Sequence, residues 1–181
     1  MTRSSIPQSF AIWLTGLPAS GKSSITAALK PKLEALGLQV EVLESDEMRK
    51  VLTPIPTYSH EERDLFYRTL AFVGSRLAAR GVTVIFDATA NRRAYRDFAR
   101  RLIPRFVEVA VECPLETCVE RDRKGTYRKG RAGESATVPG LQEAYEPPLD
   151  PAIRIDTTRI APEQAADMIL VLLRERQFLP R

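Results

Sequence analysis

Cysteine, histidine and long apolar runs are scarce in this chain. Its two cysteines, Cys113 and Cys118, make no disulfide framework, and their spacing lacks the paired clusters of a zinc site. Both read as small residues in or near a core. The single histidine, His60, has no partner at catalytic spacing and reads as a helix-entry residue. No apolar run approaches the about 20 residues of a membrane helix. The segment Met1-Thr2-Arg3-Ser4-Ser5-Ile6-Pro7 carries no apolar stretch of leader length, so a cytoplasmic protein is expected. Internal repeats and low-complexity tracts are absent as well. The net charge of +4 is mild; it suits small polyanions such as nucleotides and falls far short of a nucleic-acid-binding tail.

What remains is an ordinary globular composition, 44% hydrophobic and 28% charged over 181 residues, enough for one domain with a substantial core. Phe10–Leu14 is a short apolar run ending in Thr15-Gly16 and reads as a buried strand. Ile25, Ala28, Leu29, Leu33 and Leu36 recur at helical steps, predicting a helix from Lys22 to about Leu36 closed by Gly37. Pro31 inside it implies a kink or an earlier end. Leu38–Leu43 alternates as a second strand, and Asp46–Leu52 is a short helix stopped by Pro54 and Pro56. An amphipathic helix follows over His60–Arg80, then a buried strand over Val82–Phe86 with Asp87 at its end. A helix over Asn91–Leu102, a strand over Phe106–Val111 and a short helix over Leu115–Arg121 come next. Residues 122–150 are rich in charge, Gly and Pro; Ile153–Ile155 and a helix from Pro162 to about Leu173 close the chain. Strands alternating with helices predict an α/β fold, with a mainly parallel sheet between helical layers.

Ligands of such sheets sit beyond the carboxyl ends of the strands, and three features converge there. Gly16-Leu17-Pro18-Ala19-Ser20-Gly21-Lys22-Ser23 stands directly after a strand and opens a helix, the setting a P-loop demands. Its glycines let amides turn inward around an anion, Lys22 supplies a cation for the β- and γ-phosphates, and Ser23 offers a hydroxyl to Mg²⁺. The following helix aims its positive end at the same point. This implies ATP with Mg²⁺. Asp46 is placed to meet an acceptor hydroxyl, directly or through the metal; it is also a natural N-cap for the helix that follows. Glu44 either joins it or faces solvent. Asp87 is either a metal-facing carboxylate or a cap before Asn91.

Arg121, Arg123, Lys124, Arg128, Lys129 and Arg131 place six cations within eleven residues. Such a run is a solvated face or, inside a long excursion above a phosphate loop, a lid that neutralises the transferred group and excludes water.

These residues together resemble the adenylylsulfate kinase family, over nearly the whole chain. The resemblance rests on the phosphate loop, on Cys113-Pro114-Leu115-Glu116 with Cys118, and on Arg121-Asp122-Arg123-Lys124-Gly125-Thr126-Tyr127. It continues in Arg131-Ala132-Gly133-Glu134 and Tyr145-Glu146-Pro147-Pro148. It implies a three-layer P-loop kinase fold with a five-stranded parallel sheet in the order 2-3-1-4-5, one domain over residues 1–181, a lid near 122–150, a homodimer and a role in sulfate activation. The implied ATP-binding set is Gly16, Ala19, Ser20, Gly21, Lys22, Ser23, Ser24 and Arg121. Lys22, Asp46 and Arg49 carry catalysis, and Ser23, Asp46 and Asp87 the metal. Asp46, Arg49, Tyr58, Arg63, Phe66 and Val138 line the acceptor, and Arg123, Lys124, Arg128 and Arg131 belong to the lid.

The family's acidic motif falls on Leu43-Glu44-Ser45-Asp46-Glu47-Met48-Arg49, with Glu44 in place of an Asp. Phe66 stands where the family has Asn, and Val138 where it has a stacking Phe. Ala88-Thr89-Ala90-Asn91 replaces Phe-Ile-Ser-Pro, so the serine phosphorylated in some members is missing. The expected activity is ATP-dependent phosphorylation of the 3′-hydroxyl of adenosine 5′-phosphosulfate, without membrane or nucleic-acid partners. The departures keep a second reading open, a kinase of the same build acting on another small-molecule or nucleic-acid hydroxyl. A third is a nucleotide-binding regulator without turnover.

Overall fold

The computed structural model describes residues 9–180; the segment read above for leader content lies outside them. Five strands alternate with seven helices among the described residues: β1 (Ala11–Thr15), α1 (Lys22–Ala35), β2 (Val40–Glu44), α2 (Ser45–Leu52), α3 (His60–Ala78), β3 (Thr83–Asp87), α4 (Arg93–Leu102), β4 (Phe106–Glu112), α5 (Leu115–Glu120), α6 (Thr126–Arg131), β5 (Ile153–Asp156) and α7 (Pro162–Glu175). All strand pairs are parallel and the order is β2-β3-β1-β4-β5, as expected.

Strand side chains point alternately to the two faces, so each central strand feeds two cores. From β1, Ile12 and Leu14 join Ile25, Leu29 and Leu33 of α1 and Ile169 and Leu173 of α7. Ala11 and Trp13 turn the other way, to Phe66 and Leu70 of α3, Phe86, Tyr95 and Phe106. This is why β1 and β3 are buried at every position and read as unbroken apolar runs. Trp13 stacks on Phe86 with centroids 4.4 Å apart and donates its indole N–H to the Ala88 carbonyl at 3.0 Å. Burial of such side chains contributes about 1.5–3 kcal/mol each.

Several boundaries differ from expectation. Helix α1 is not shortened at Pro31; it runs through that exposed proline to Ala35. Gly37, at φ 81°, then ends the turn, its amide donating to the Glu34 carbonyl at 2.9 Å. The N-cap role proposed for Asp46 belongs to Glu44, because α2 starts one residue early at Ser45. The 122–150 excursion is not all loop: it contains α6, whose first amides are capped by the Asp122 carboxylate at 2.7–3.2 Å. Tyr127 and Val138 pack there on Cys118, a third, small core beside the sheet.

Candidate active site

The phosphate loop grows directly out of β1. Gly21 adopts φ 106° immediately before α1, and Ile25 N–H bonds back to its carbonyl at 3.1 Å. Gly16 has no room for a side chain: a Cβ there would lie 2.3 Å from the Val111 carbonyl oxygen. Ala19 holds φ 59°, a left-handed conformation kept at a cost only where surroundings enforce it. Lys22 is buried and folds back over the loop, donating to the Gly16 and Leu17 carbonyls at 3.0 and 2.8 Å. Burial pulls its ammonium below the usual lysine range, while the nearby Asp87 carboxylate is first among the groups holding it up. The Ser20 hydroxyl is buried with no protein partner, as in a cradle made for a polar guest. Ser23 and Ser24 are exposed at the start of α1.

Carboxylates gather at the ends of the neighbouring strands. Asp87 closes β3, in register with Glu44 of β2 on one side and Leu14 of β1 on the other. Burial raises its carboxyl above the ordinary range, with Lys22 and the Ser23 hydroxyl acting the other way. Glu44 caps α2 by accepting from Glu47 N–H at 2.9 Å, which frees Asp46. Asp46 is exposed and accepts from Lys124 Nζ at 2.5 Å; Glu44 lies 3.4 Å from the same ammonium. The cationic excursion therefore reaches across the mouth of the sheet to the acidic motif. Among the described residues no group of three or more His, Cys, Asp or Glu is arranged around a metal. One hydroxyl and one or two carboxylates beside a phosphate cradle fit Mg²⁺, which takes most of its remaining oxygens from phosphates and water.

A second pocket is built by α2, α3 and the turn between them. Arg49 is buried, pairs with Glu62 at 3.1 Å and lies over Phe66, 3.9 Å from the ring centroid, with Tyr58 at 4.9 Å. Burial pushes the Glu62 carboxyl up, but the Thr57 amide and hydroxyl and the Tyr58 amide outweigh it and leave it below its usual value. Arg63, also buried, donates to the Tyr58 carbonyl at 3.0 Å, to Asn91 Oδ1 at 3.2 Å and to the Thr137 carbonyl. Tyr58 itself holds φ 55°. Thus Arg49, Tyr58, Arg63 and Phe66 come together, and Val138, which follows the Thr137 carbonyl held by Arg63, packs in the small core with Cys118 and Tyr127.

Arg121 braces the opposite side, donating to the Thr157 hydroxyl and carbonyl at 3.0 and 3.1 Å. The Thr157 hydroxyl in turn donates to the Ser20 carbonyl at 2.7 Å, linking Arg121 to the phosphate loop. Tyr127 donates to the Pro18 carbonyl at 3.0 Å, so the excursion touches the loop from above. Arg123, Arg128 and Arg131 are exposed with no ion pair among the described residues. Sequence reasoning missed Glu62, Asn91, Tyr127 and Thr157. Only Glu62 had a local signal, the capping spacing Ser59-His60-Glu61-Glu62, in which Ser59 Oγ accepts from Glu62 N–H at 3.2 Å.

A parallel sheet in this order, with a lysine-bearing cradle at the end of β1 and carboxylates beside it, defines a P-loop phosphotransferase. The particular family follows from comparison. The family model described as Adenylylsulphate kinase matches residues 8–156. The adenylyl-sulfate kinase of Rippkaea orientalis is 42% identical over 174 residues, covering 96% of both chains. Among solved structures, the Mycobacterium tuberculosis APS kinase in complex with AMPPNP and APS superposes with a TM-score of 0.86 at 33% identity, covering 93% of this chain and 99% of that one. A hexameric APS kinase from Thiobacillus denitrificans gives 0.72 at 27% identity, over 96% of this chain and 30% of that one. The chain belongs to the adenylylsulfate kinase family.

Proposed function

We propose that the protein transfers the γ-phosphoryl group of ATP to the 3′-hydroxyl of adenosine 5′-phosphosulfate, giving 3′-phosphoadenosine 5′-phosphosulfate and ADP. The observation that carries this is the pairing of two side-chain clusters beyond the carboxyl ends of the strands. One is a lysine-closed phosphate cradle; the other is an aromatic pocket holding two buried arginines, Arg49 and Arg63. Arginine over aromatic rings suits a ligand that is both a flat base and an anion. The solved relative with AMPPNP and APS bound supports the same pair of ligands here.

In this reading Gly16, Ala19, Ser20, Gly21, Lys22, Ser23 and Ser24 hold the triphosphate, and Arg121 flanks the nucleotide. Ser23 with Asp46 or Asp87 would hold Mg²⁺, which would supply charge neutralisation at the phosphates. Asp46 takes the proton of the acceptor hydroxyl as that oxygen bonds to the γ-phosphorus, and the bond to the β-phosphate oxygen breaks to release ADP. Lys124 leaves Asp46 for the transferring phosphoryl group, and Arg123, Arg128 and Arg131 close with it. Arg49, Arg63 and Tyr58 hold the acceptor, with Phe66 as the floor under Arg49; Val138 supports the lid from within. The chain works as one domain over 1–181, and as a cytoplasmic homodimer. No helix among the described residues is long and apolar enough to cross a membrane.

The test is ADP release across an acceptor panel with product identification. Adenosine 5′-phosphosulfate should be the preferred acceptor; phosphorylation of a sugar or polynucleotide with none of adenylylsulfate would contradict the proposal. Sedimentation reads the dimer separately.

A further inference from the structure

Asn91 stands in the stretch Ala88-Thr89-Ala90-Asn91, which the reading of the active site leaves without a role. It is 1% exposed, and both ends of its side-chain amide are engaged. Its side-chain oxygen accepts from Arg63 Nη1 at 3.2 Å, and its side-chain nitrogen donates to the Ala144 carbonyl at 3.2 Å. A guanidinium can only donate and a carbonyl can only accept, so the partners themselves fix which way the amide points. The Asn91 carbonyl accepts from Glu146 N–H at 2.7 Å. One residue thus joins the β3–α4 connection, Arg63 of α3 and the returning arm of the excursion.

The surroundings reinforce that junction. Ala90 holds φ 43°, its amide donating to the Tyr67 hydroxyl at 3.2 Å and its carbonyl accepting from the fully buried Arg96. Arg96 also donates to the Glu146 carbonyl at 2.7 Å, and the Glu146 carboxylate caps α4 by accepting from Arg93 N–H at 2.8 Å. Residues 144–146 are therefore fixed to the body of the protein. The earlier part of the excursion is held too, by Tyr127 on the Pro18 carbonyl and by Gln142 on the Gly130 carbonyl, and it meets the acidic motif through the exposed Lys124–Asp46 pair.

Arg63 uses three of its five N–H groups on Tyr58, Asn91 and Thr137, which leaves two for an anionic ligand. We propose that Asn91 is a positioning residue for the acceptor. It sets the plane of Arg63 while holding the 137–146 arm against it, so that this arm is a fixed wall of the acceptor pocket. The proposal rests on the acceptor role given to Arg63 above. Aspartate at this position keeps the acceptor for Arg63 but cannot donate to Ala144; alanine loses both bonds.

The experiment combines steady-state kinetics with amide hydrogen exchange on wild type, Asn91→Ala and Asn91→Asp. Asn91→Ala should raise KM for adenylylsulfate about tenfold, the loss of one charge-assisted hydrogen bond, while KM for ATP and kcat stay within about twofold. Exchange over 138–146 should quicken, with the phosphate loop unaffected. Asn91→Asp should return KM toward wild type yet keep the faster exchange near 144–146. Faster exchange with unchanged KM in Asn91→Ala would make the residue merely structural and overturn the proposal, as would equal rises in both KM values. Wild-type protein inert toward adenylylsulfate would instead sink the acceptor assignment itself, so the two failures are distinct.

Discussion

Replacing Lys22 by methionine removes a charge from the phosphate cradle while keeping the length of the side chain. The ammonium makes two hydrogen bonds, at 3.0 and 2.8 Å, to carbonyls of its own loop. Losing them costs stability, because hydrogen bonds to charged groups contribute about 1.5–3 kcal/mol each. Desolvation works in the opposite sense: burial already disfavours the charged form, and a neutral thioether carries no such penalty. The two oppose each other, and replacing a buried charge by an apolar side chain of similar volume is often close to neutral, so thermal unfolding should shift by only a few degrees. Catalysis has no such compensation. A preorganised cation on the charge that develops in the transition state contributes about 3–4 kcal/mol, which predicts a fall in kcat of about 10²–10³-fold. Circular dichroism melts and steady-state ADP release measure the two halves. Activity within tenfold of wild type, with an unchanged melt, would refute the role given to Lys22.

Asp46→Asn should lower kcat by about 10²–10⁴-fold with little change in either KM, read by initial rates. Arg49→Lys should raise KM for the acceptor at least several-fold, because an ammonium cannot lie flat over Phe66 while pairing with Glu62. Gly74→Ala should lower the melting temperature by the equivalent of about 1–3 kcal/mol, since its Cβ would fall 2.2 Å from Phe86 Cζ in a ring stacked on Trp13. Carbon-detected NMR titration should place the Asp87 carboxyl above its ordinary value of 3.8, and Lys22→Met should move it higher, because the ammonium counteracts burial. Since folding raises this value, the linked stability is complete below about pH 3.8 and declines as pH climbs through the folded-state value.

What was legible in the sequence was what local chemistry determines. The cradle Gly16–Ser23 announces itself because its amides, lysine and hydroxyl all lie within eight residues between a strand and a helix. The two-faced core follows from runs such as Ala11–Thr15, buried at every position, whereas the strand order came with the family resemblance. One-residue shifts were not legible: a start at Ser45 rather than Asp46 moved the cap to Glu44 and left Asp46 for Lys124. Pro31 misled because an exposed proline can sit on the outer face of a well-packed helix. Asn91 could not be found from its neighbours, as its side-chain partners lie 28 and 53 residues away. Thr157 lies farther still from the Ser20 carbonyl it holds, 137 residues along the chain. Val138 was placed at the acceptor by the family resemblance, and its packing in the core with Tyr127 has no local signal in the sequence.

The central claim is that the cradle and the arginine–aromatic pocket hold two nucleotides for one transfer. A single turnover with ATP labelled at the γ-phosphorus and adenosine 5′-phosphosulfate, followed by phosphorus NMR of the product, addresses it directly. The label is predicted on the 3′-oxygen of the phosphosulfate nucleotide, in equal amount to the ADP formed. Label recovered only as inorganic phosphate, or retained on ATP, would contradict it.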